Sequence, residues 1–336
     1  MFIITTLLIS SLPILVSSIT YDVTILRKGG TPAISLKNAP GNGYSPCEFN
    51  FNPAWIPAAN GNKSALILRV SGCPDSFGGA VDHLLMAYCT VDPVTGGSCE
   101  DVLPLPFANF ETASEDPRIF EYQGDTYLYY FASGSGQSTV YLRKTPTPLD
   151  PSSWVHVAGP LPWHRNGCTI LREDGTHYVL FGESPPLPGL GLATTTDFVS
   201  YNVINATYMI PYGGNSSYAS EIVIEAGSTP IQLSTGDYLH LYAAGTQGWV
   251  ANGNYTGGYI IMDGNDPSIL KQRSTHHLFI PTMDYEIGMG TSIYPVNRNR
   301  TIFTTQLVPL GNDVFHVWYG AADAVVAWAQ IQVTHD

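Results

Sequence analysis

The densest string of reactive side chains in this 336-residue sequence is Ser114-Glu115-Asp116-Pro117-Arg118-Ile119-Phe120, where two adjacent carboxylates and a guanidinium open an apolar run. Neighbouring acids can divide their roles, one keeping a proton while the other stays ionised, which is what general acid and base catalysis needs. The same string can be only an acidic turn capped by arginine; acidic residues at the starts of other strands favour the catalytic reading. Other chemistries find less support. His164, His276 and His277 lack metal-ligand spacing with a third partner. The oxygens of Asp263 to Asp266 match an ordinary Asn-Asp-Gly turn as well as a calcium loop. No Gly-x-Ser-x-Gly elbow is present. Neither a metal nor a cofactor is expected.

The formal charge of −13, with no basic cluster, removes the phosphate-neutralising contacts that nucleic-acid binding requires. A neutral, hydroxyl-rich ligand fits better. Twenty tyrosines, six tryptophans and thirteen phenylalanines supply flat faces suited to sugars, although strand packing uses the same residues.

The elements that must position these groups are strands. No window sustains a 3.6-residue apolar period, whereas short β-rich runs bounded by Gly, Pro, Asn and Asp recur throughout, among them Ala65 to Val70, Thr126 to Phe131, Tyr238 to Tyr242 and Val314 to Tyr319. A polar residue near Pro or Gly, a strand, a Gly/Asp turn and an aromatic-rich strand follow one another five times, at Asn52 to Val70, Asp116 to Phe131, Asn166 to Phe181, Glu225 to Tyr242 and Gly311 to Trp328. Radial repetition of this kind predicts an all-β, single five-bladed β-propeller over residues 19–336.

Residues 1–18 carry an uncharged apolar run, Phe2 to Val16, ending in Ser17 and Ser18, and are expected to be a secretory signal peptide; the run is shorter than the roughly 20 residues of a membrane span. A secreted chain with no membrane attachment after cleavage is the expectation, with an uncleaved anchor as the alternative. Sequons at Asn62, Asn205, Asn215, Asn254 and Asn299 agree with that route. Five cysteines suit one or two disulfides. Cys89 with Cys99 is preferred and Cys47 with Cys73 second, leaving Cys168 a buried thiol; the sequence does not settle the pairing.

Several blocks, in order from about Phe51 to Gln330, resemble glycoside hydrolase family 130, the mannoside phosphorylases and hydrolases, within the five-bladed set that includes families 43 and 32. They are Asn52-Pro53-Ala54 with Leu66 to Arg69, Glu115-Asp116-Pro117-Arg118, Asn166-Gly167-Cys168-Thr169-Ile170, Glu225 to Ile231, Tyr285-Glu286, and Gly320-Ala321-Ala322-Asp323. The resemblance implies inverting attack at an anomeric carbon, with Asp116 as proton donor acting through a sugar hydroxyl, and with Asn52, Arg69, Arg118 and Asp323 holding the glycone. Asn166 and Glu286 fall in matching blocks and are expected at the substrate as well. Asp116 can serve as the acid only if burial or a neighbour such as Glu115 raises its pKa.

Phosphate needs converging cationic or N–H donors. Where the family's phosphorylases carry a His-Arg pair in the third blade, this chain has Leu180-Phe181-Gly182-Glu183-Ser184, and the fourth-blade tyrosine, Tyr242, is followed by Ala243-Ala244-Gly245 instead of histidine. Arg69 and Arg165 remain as anion contacts. Hydrolysis is therefore expected, with Glu183 the first candidate for the water-activating base, and Glu225 and Glu286 behind it. The expected substrate is a β-linked, mannose-containing oligosaccharide or glycan. Alternatives are a phosphorylase, a family 43-like arabinosidase or xylosidase, and a carbohydrate-binding propeller without turnover.

Overall fold

The computed structural model describes residues 19–36, 43–58, 64–77, 81–92, 94, 96–106, 111–134, 137–182, 189–204, 209–211, 221–246, 255–288 and 293–336. The five sheets are the blades of a β-propeller. Blade one is Phe49–Ile56, Ser64–Ser71, His83–Asp92 and Gly96–Pro104. Blade two is Ala113–Tyr122, Asp125–Gly134, Gln137–Thr145 and Val155–Ala158. Blade three is built on Arg165–Ile170, His177–Gly182 and Gly189–Thr195, and blade four on Glu221–Ala226, Tyr238–Thr246, Tyr255–Met262 and Leu270–Arg273.

Blade five draws on both ends of the chain. Ile302–Gly311, Val314–Ala321 and Val325–His335 follow one another, and Tyr21–Lys28 pairs antiparallel along Val325–His335 from Tyr21 opposite His335 to Lys28 opposite Ala329. This closure joins the first and last described strands of the chain in one sheet and so fastens the ring of blades. It also puts the fifth sequence repeat one strand out of phase: the innermost strand is Ile302–Gly311, and Gly311 begins the hairpin after it. The hairpin tips at Gln123-Gly124 and Asn312-Asp313 have positive φ at both residues, as two-residue type I′ turns require.

Blades pack through apolar faces. Trp318 is fully buried between blades five and one, stacked at 6.0 Å on Trp55. It fits because residue 97 is glycine; a Cβ there would lie 2.2 Å from the Trp318 ring. Cys47 bonds Cys73, and Cys89 bonds Cys99 across the third and fourth strands of blade one. Cys168 is a buried free thiol, pushed up to about 11 by burial. No helix among the described residues is long and apolar enough to cross a membrane.

Candidate active site

The innermost strands share a device that turns polar side chains towards the axis. Ladder pairing slips between Phe51 and Ala54, between Glu115 and Arg118, and between Arg165 and Cys168. Inside these bulges Asn52, Asp116 and Asn166 have φ of 48°, 51° and 57°. Asparagine and aspartate tolerate the left-handed region better than most residues, and a bulge re-aims the side chain it carries. Pro53, Pro117 or Gly167 follows each, where the ladder is already interrupted. Blade five contributes from its turn instead: Ala322 and Asp323 have φ of 51° and 45°.

Asn52, Asp116 and Asp323 line a cavity of about 160 Å³ together with Arg69, Arg165, Glu225, Tyr255, Arg298, Thr301 and Phe303. Asp116 is buried among polar partners. Asn52 Nδ2 donates to its Oδ1 at 2.7 Å, Arg69 Nη1 to the same oxygen at 3.1 Å, and Arg165 stands 3.7 Å from Oδ2. Glu115 lies behind, accepting from Arg165 at 2.8 Å and lying 3.0 Å from Arg69 Nη1, whose other nitrogen reaches Asp82 at 2.7 Å. Burial opposes the charge on Asp116, but Arg69, Arg165 and Arg118 and the Asn52 hydrogen bond outweigh it and hold the carboxyl at about 2. In this arrangement the ionised form of Asp116 is the favoured one.

Asp323 has the opposite environment. Burial pushes it up to about 6, assisted by the negative charges of Asp116 and Glu225 and opposed by Arg69 and by Arg298. Its nearest guanidinium, Arg298, is 3.5 Å away. Glu225 is held from two sides: Asn166 Nδ2 donates to Oε2 at 3.0 Å, and the Tyr255 hydroxyl makes a short bond to Oε1. Asn166 is itself fixed by Trp163, whose indole N–H donates to its backbone carbonyl at 2.5 Å. Gly182 presses on the same strand, since a Cβ there would lie 2.5 Å from Glu225 Cα.

Six of the expected residues, Asn52, Arg69, Asp116, Arg165, Glu225 and Asp323, therefore line the cavity, with Asn166 bonded to one of them. Glu183 lies outside the described residues. Two expectations do not hold as geometry. Arg118 is fully buried beyond the cavity, donating to the carbonyls of Gly227 at 2.6 Å, Pro117 at 2.8 Å and Ala226 at 3.3 Å. Along its strand it follows Asp116 and precedes Ile119, which lines a larger, mostly apolar cavity of about 530 Å³ together with Trp55, Ile170 and Leu307. Glu286 is fully buried away from the axis. It accepts from both Thr282 and Met283 N–H groups, from Lys28 at 2.9 Å and from Tyr319 at 2.7 Å, because a buried carboxylate must be paired and hydrogen-bonded.

Tyr255, Arg298, Thr301 and Phe303 were not singled out in the sequence. A signal existed for one: Arg298 and Arg300 are two of only fourteen cations, set among asparagines. The segment is placed by the Asn297 and Arg298 N–H groups, which donate to Ala322 O at 3.1 and 2.8 Å.

Residues 100–335 match the family model Glyco_hydro_130, described as β-1,4-mannooligosaccharide phosphorylase. A search of curated protein sequences finds no match. Solved structures give fold-level likeness. A glycosyl hydrolase from Bacteroides ovatus superposes with a TM-score of 0.68 at 19% identity, covering 92% of this chain and 93% of its own. A structure reported with family 130 glycoside hydrolases that target β-1,2-mannosidic linkages in Candida mannan gives 0.67 at 19%, with 92% and 93% covered. The Listeria innocua β-1,2-mannobiose phosphorylase gives 0.64 at 17%, with 84% and 89% covered.

Proposed function

The chain belongs to glycoside hydrolase family 130, and on that premise we propose that it cleaves β-linked mannosides by hydrolysis, with inversion at the anomeric carbon. The observation that carries hydrolysis is the charge balance of the cavity. Each arginine reaching it already faces carboxylates: Arg69 has Asp82, Glu115 and Asp116, Arg165 has Glu115, and Arg298 has Asp323. A phosphate dianion would have to compete with these partners, whereas a neutral sugar would not.

Asp323, the cavity carboxyl raised towards neutrality, is the proton donor in this reading. The bond between the anomeric carbon and the leaving oxygen breaks as that oxygen takes the Asp323 proton. A water molecule attacks the opposite face and gives its proton to Glu225, the oriented carboxylate. Asp116, kept ionised, stabilises the positive charge that develops on the sugar ring, and Asn52, Arg69 and Arg165 hold the glycone. Glu183, which directly follows Gly182, is the alternative base.

Phosphorolysis is the second reading, supported by the description of the matched family and by three guanidiniums at one cavity. Passage through the secretory route is also proposed, from the apolar first eighteen residues and the two disulfides. The deciding assay incubates β-1,2- and β-1,4-mannobiose and p-nitrophenyl β-mannoside with wild type and Asp116→Asn, with and without inorganic phosphate. Free mannose at an undiminished rate without phosphate, lost in the variant, supports hydrolysis. Mannose 1-phosphate that appears only with phosphate replaces it by phosphorolysis, and sugar binding without turnover leaves a lectin-like propeller.

A further inference from the structure

Tyr255 meets the site through three separate contacts. Its hydroxyl donates to Glu225 Oε1, its ring stacks on Phe303 at 5.5 Å, and its N–H donates to Arg300 O at 3.0 Å beside a bridge to Thr301. It is 3% exposed. Ring and backbone therefore bind it to the segment that carries Arg298, the partner of Asp323, while the hydroxyl reaches Glu225. Asn166 occupies the other Glu225 oxygen from the neighbouring blade.

We propose that Tyr255 is a positioning residue for the cleavage reaction: its hydroxyl fixes the Glu225 carboxylate towards the cavity and sets the pH at which Glu225 accepts a proton. This rests on the reading of Glu225 as the base. A carboxylate with one oxygen tied still rotates about its last torsion; with both tied, from two blades, it presents one face to the cavity. An O–H donor also favours the charged form, so losing it raises the carboxyl's affinity for protons. The charged groups that line the cavity with Glu225 are Arg69 from blade one, Asp116 from blade two, Arg165 from blade three, Arg298 from the segment before blade five and Asp323 from blade five, all unaltered by a change at Tyr255.

Tyr255→Phe removes the hydroxyl and keeps the ring on Phe303. The carboxyl of Glu225 is followed directly by ¹³C NMR on protein labelled at the glutamate side-chain carboxyl, with Glu225→Gln identifying the resonance. The titration midpoint is expected to rise by about one pH unit in the variant. With mannobiose, kcat at pH 7 is expected to fall about tenfold with KM within twofold, and the acidic limb of the pH profile to move up with the midpoint. Should Tyr255→Phe fold poorly, 3-fluorotyrosine at position 255, a stronger donor, is expected to move the midpoint down. An unchanged midpoint in either variant overturns the role of Tyr255. A wild type that cleaves no mannoside yet shows the carboxyl shift overturns the proposed reaction and leaves the Tyr255 contact standing.

Discussion

Gly320 of blade five makes room for Asn52 of blade one: a Cβ at residue 320 would stand 2.3 Å from Asn52 Oδ1 and 2.8 Å from its backbone nitrogen. Asn52 in turn fixes Asp116 of blade two, so one missing side chain governs a contact spanning three blades. Gly320→Ala is expected to lower kcat/KM at least tenfold, about 1.4 kcal/mol of transition-state stabilisation, and to lower the melting temperature. In Gly320→Ala/Asn52→Ala the melting temperature should partly recover while activity does not. A single variant with normal turnover would show that Asn52 does not orient Asp116.

The raised carboxyl of Asp323 ties stability and activity to pH in opposite ways from Asp116. Between about pH 4 and pH 6 the native Asp323 keeps a proton that the unfolded chain has released, so stability falls as pH rises through that window. At pH 7 the fold carries the cost of the ionised form. Asp323→Asn should raise stability at pH 7 by about 2 kcal/mol and flatten its dependence between pH 4 and 6, as read by urea denaturation. The same variant should abolish turnover, and in wild type the alkaline limb should fall near pH 6. An alkaline limb retained in Asp323→Asn assigns the proton to another group.

Arg118 answers to stability more than to substrate. Arg118→Met leaves the Gly227 and Ala226 carbonyls without their donor, at an expected cost of about 3 kcal/mol in chemical denaturation. KM of the folded fraction should stay within threefold. A large rise in KM with normal stability would restore Arg118 to the sugar, where its sequence block had placed it.

Lys28→Met tests the ring closure. It leaves Glu286 buried with hydrogen bonds but no cation, which should cost about 3 kcal/mol while kcat is unchanged. Loss of kcat at unchanged stability would tie Glu286 to catalysis.

The five-bladed fold was legible because the propeller repeats its own grammar: a polar residue before Pro or Gly marks each bulge at Asn52, Asp116 and Asn166, and the strands after them fall where the apolar runs predict. The fifth repeat slipped because blade five is assembled from both termini, and its inner strand opens with Ile302 to Thr305 in place of an Asn or Asp. Cavity residues on first strands could be read for the same reason. Tyr255 sits on a third strand and Arg298 on a segment without regular structure, so only the closed ring brings them to the axis. Arg118 and Glu286 misled because a local motif gives a side chain's neighbours in sequence and not its depth: both are charges consumed by carbonyls, N–H groups and Lys28 inside the fold.

The pairing of Tyr21–Lys28 with Val325–His335 also dictates an order of events during biosynthesis. A chain made from its N-terminus exposes the first of these strands about three hundred residues before its partner exists, so blades one to four can collapse locally while blade five waits. The turn bearing Asp323 immediately precedes that late strand, and the cavity it lines is therefore among the last parts of the molecule to be completed. Chains that still lack that strand would hold assembled blades around an incomplete cavity.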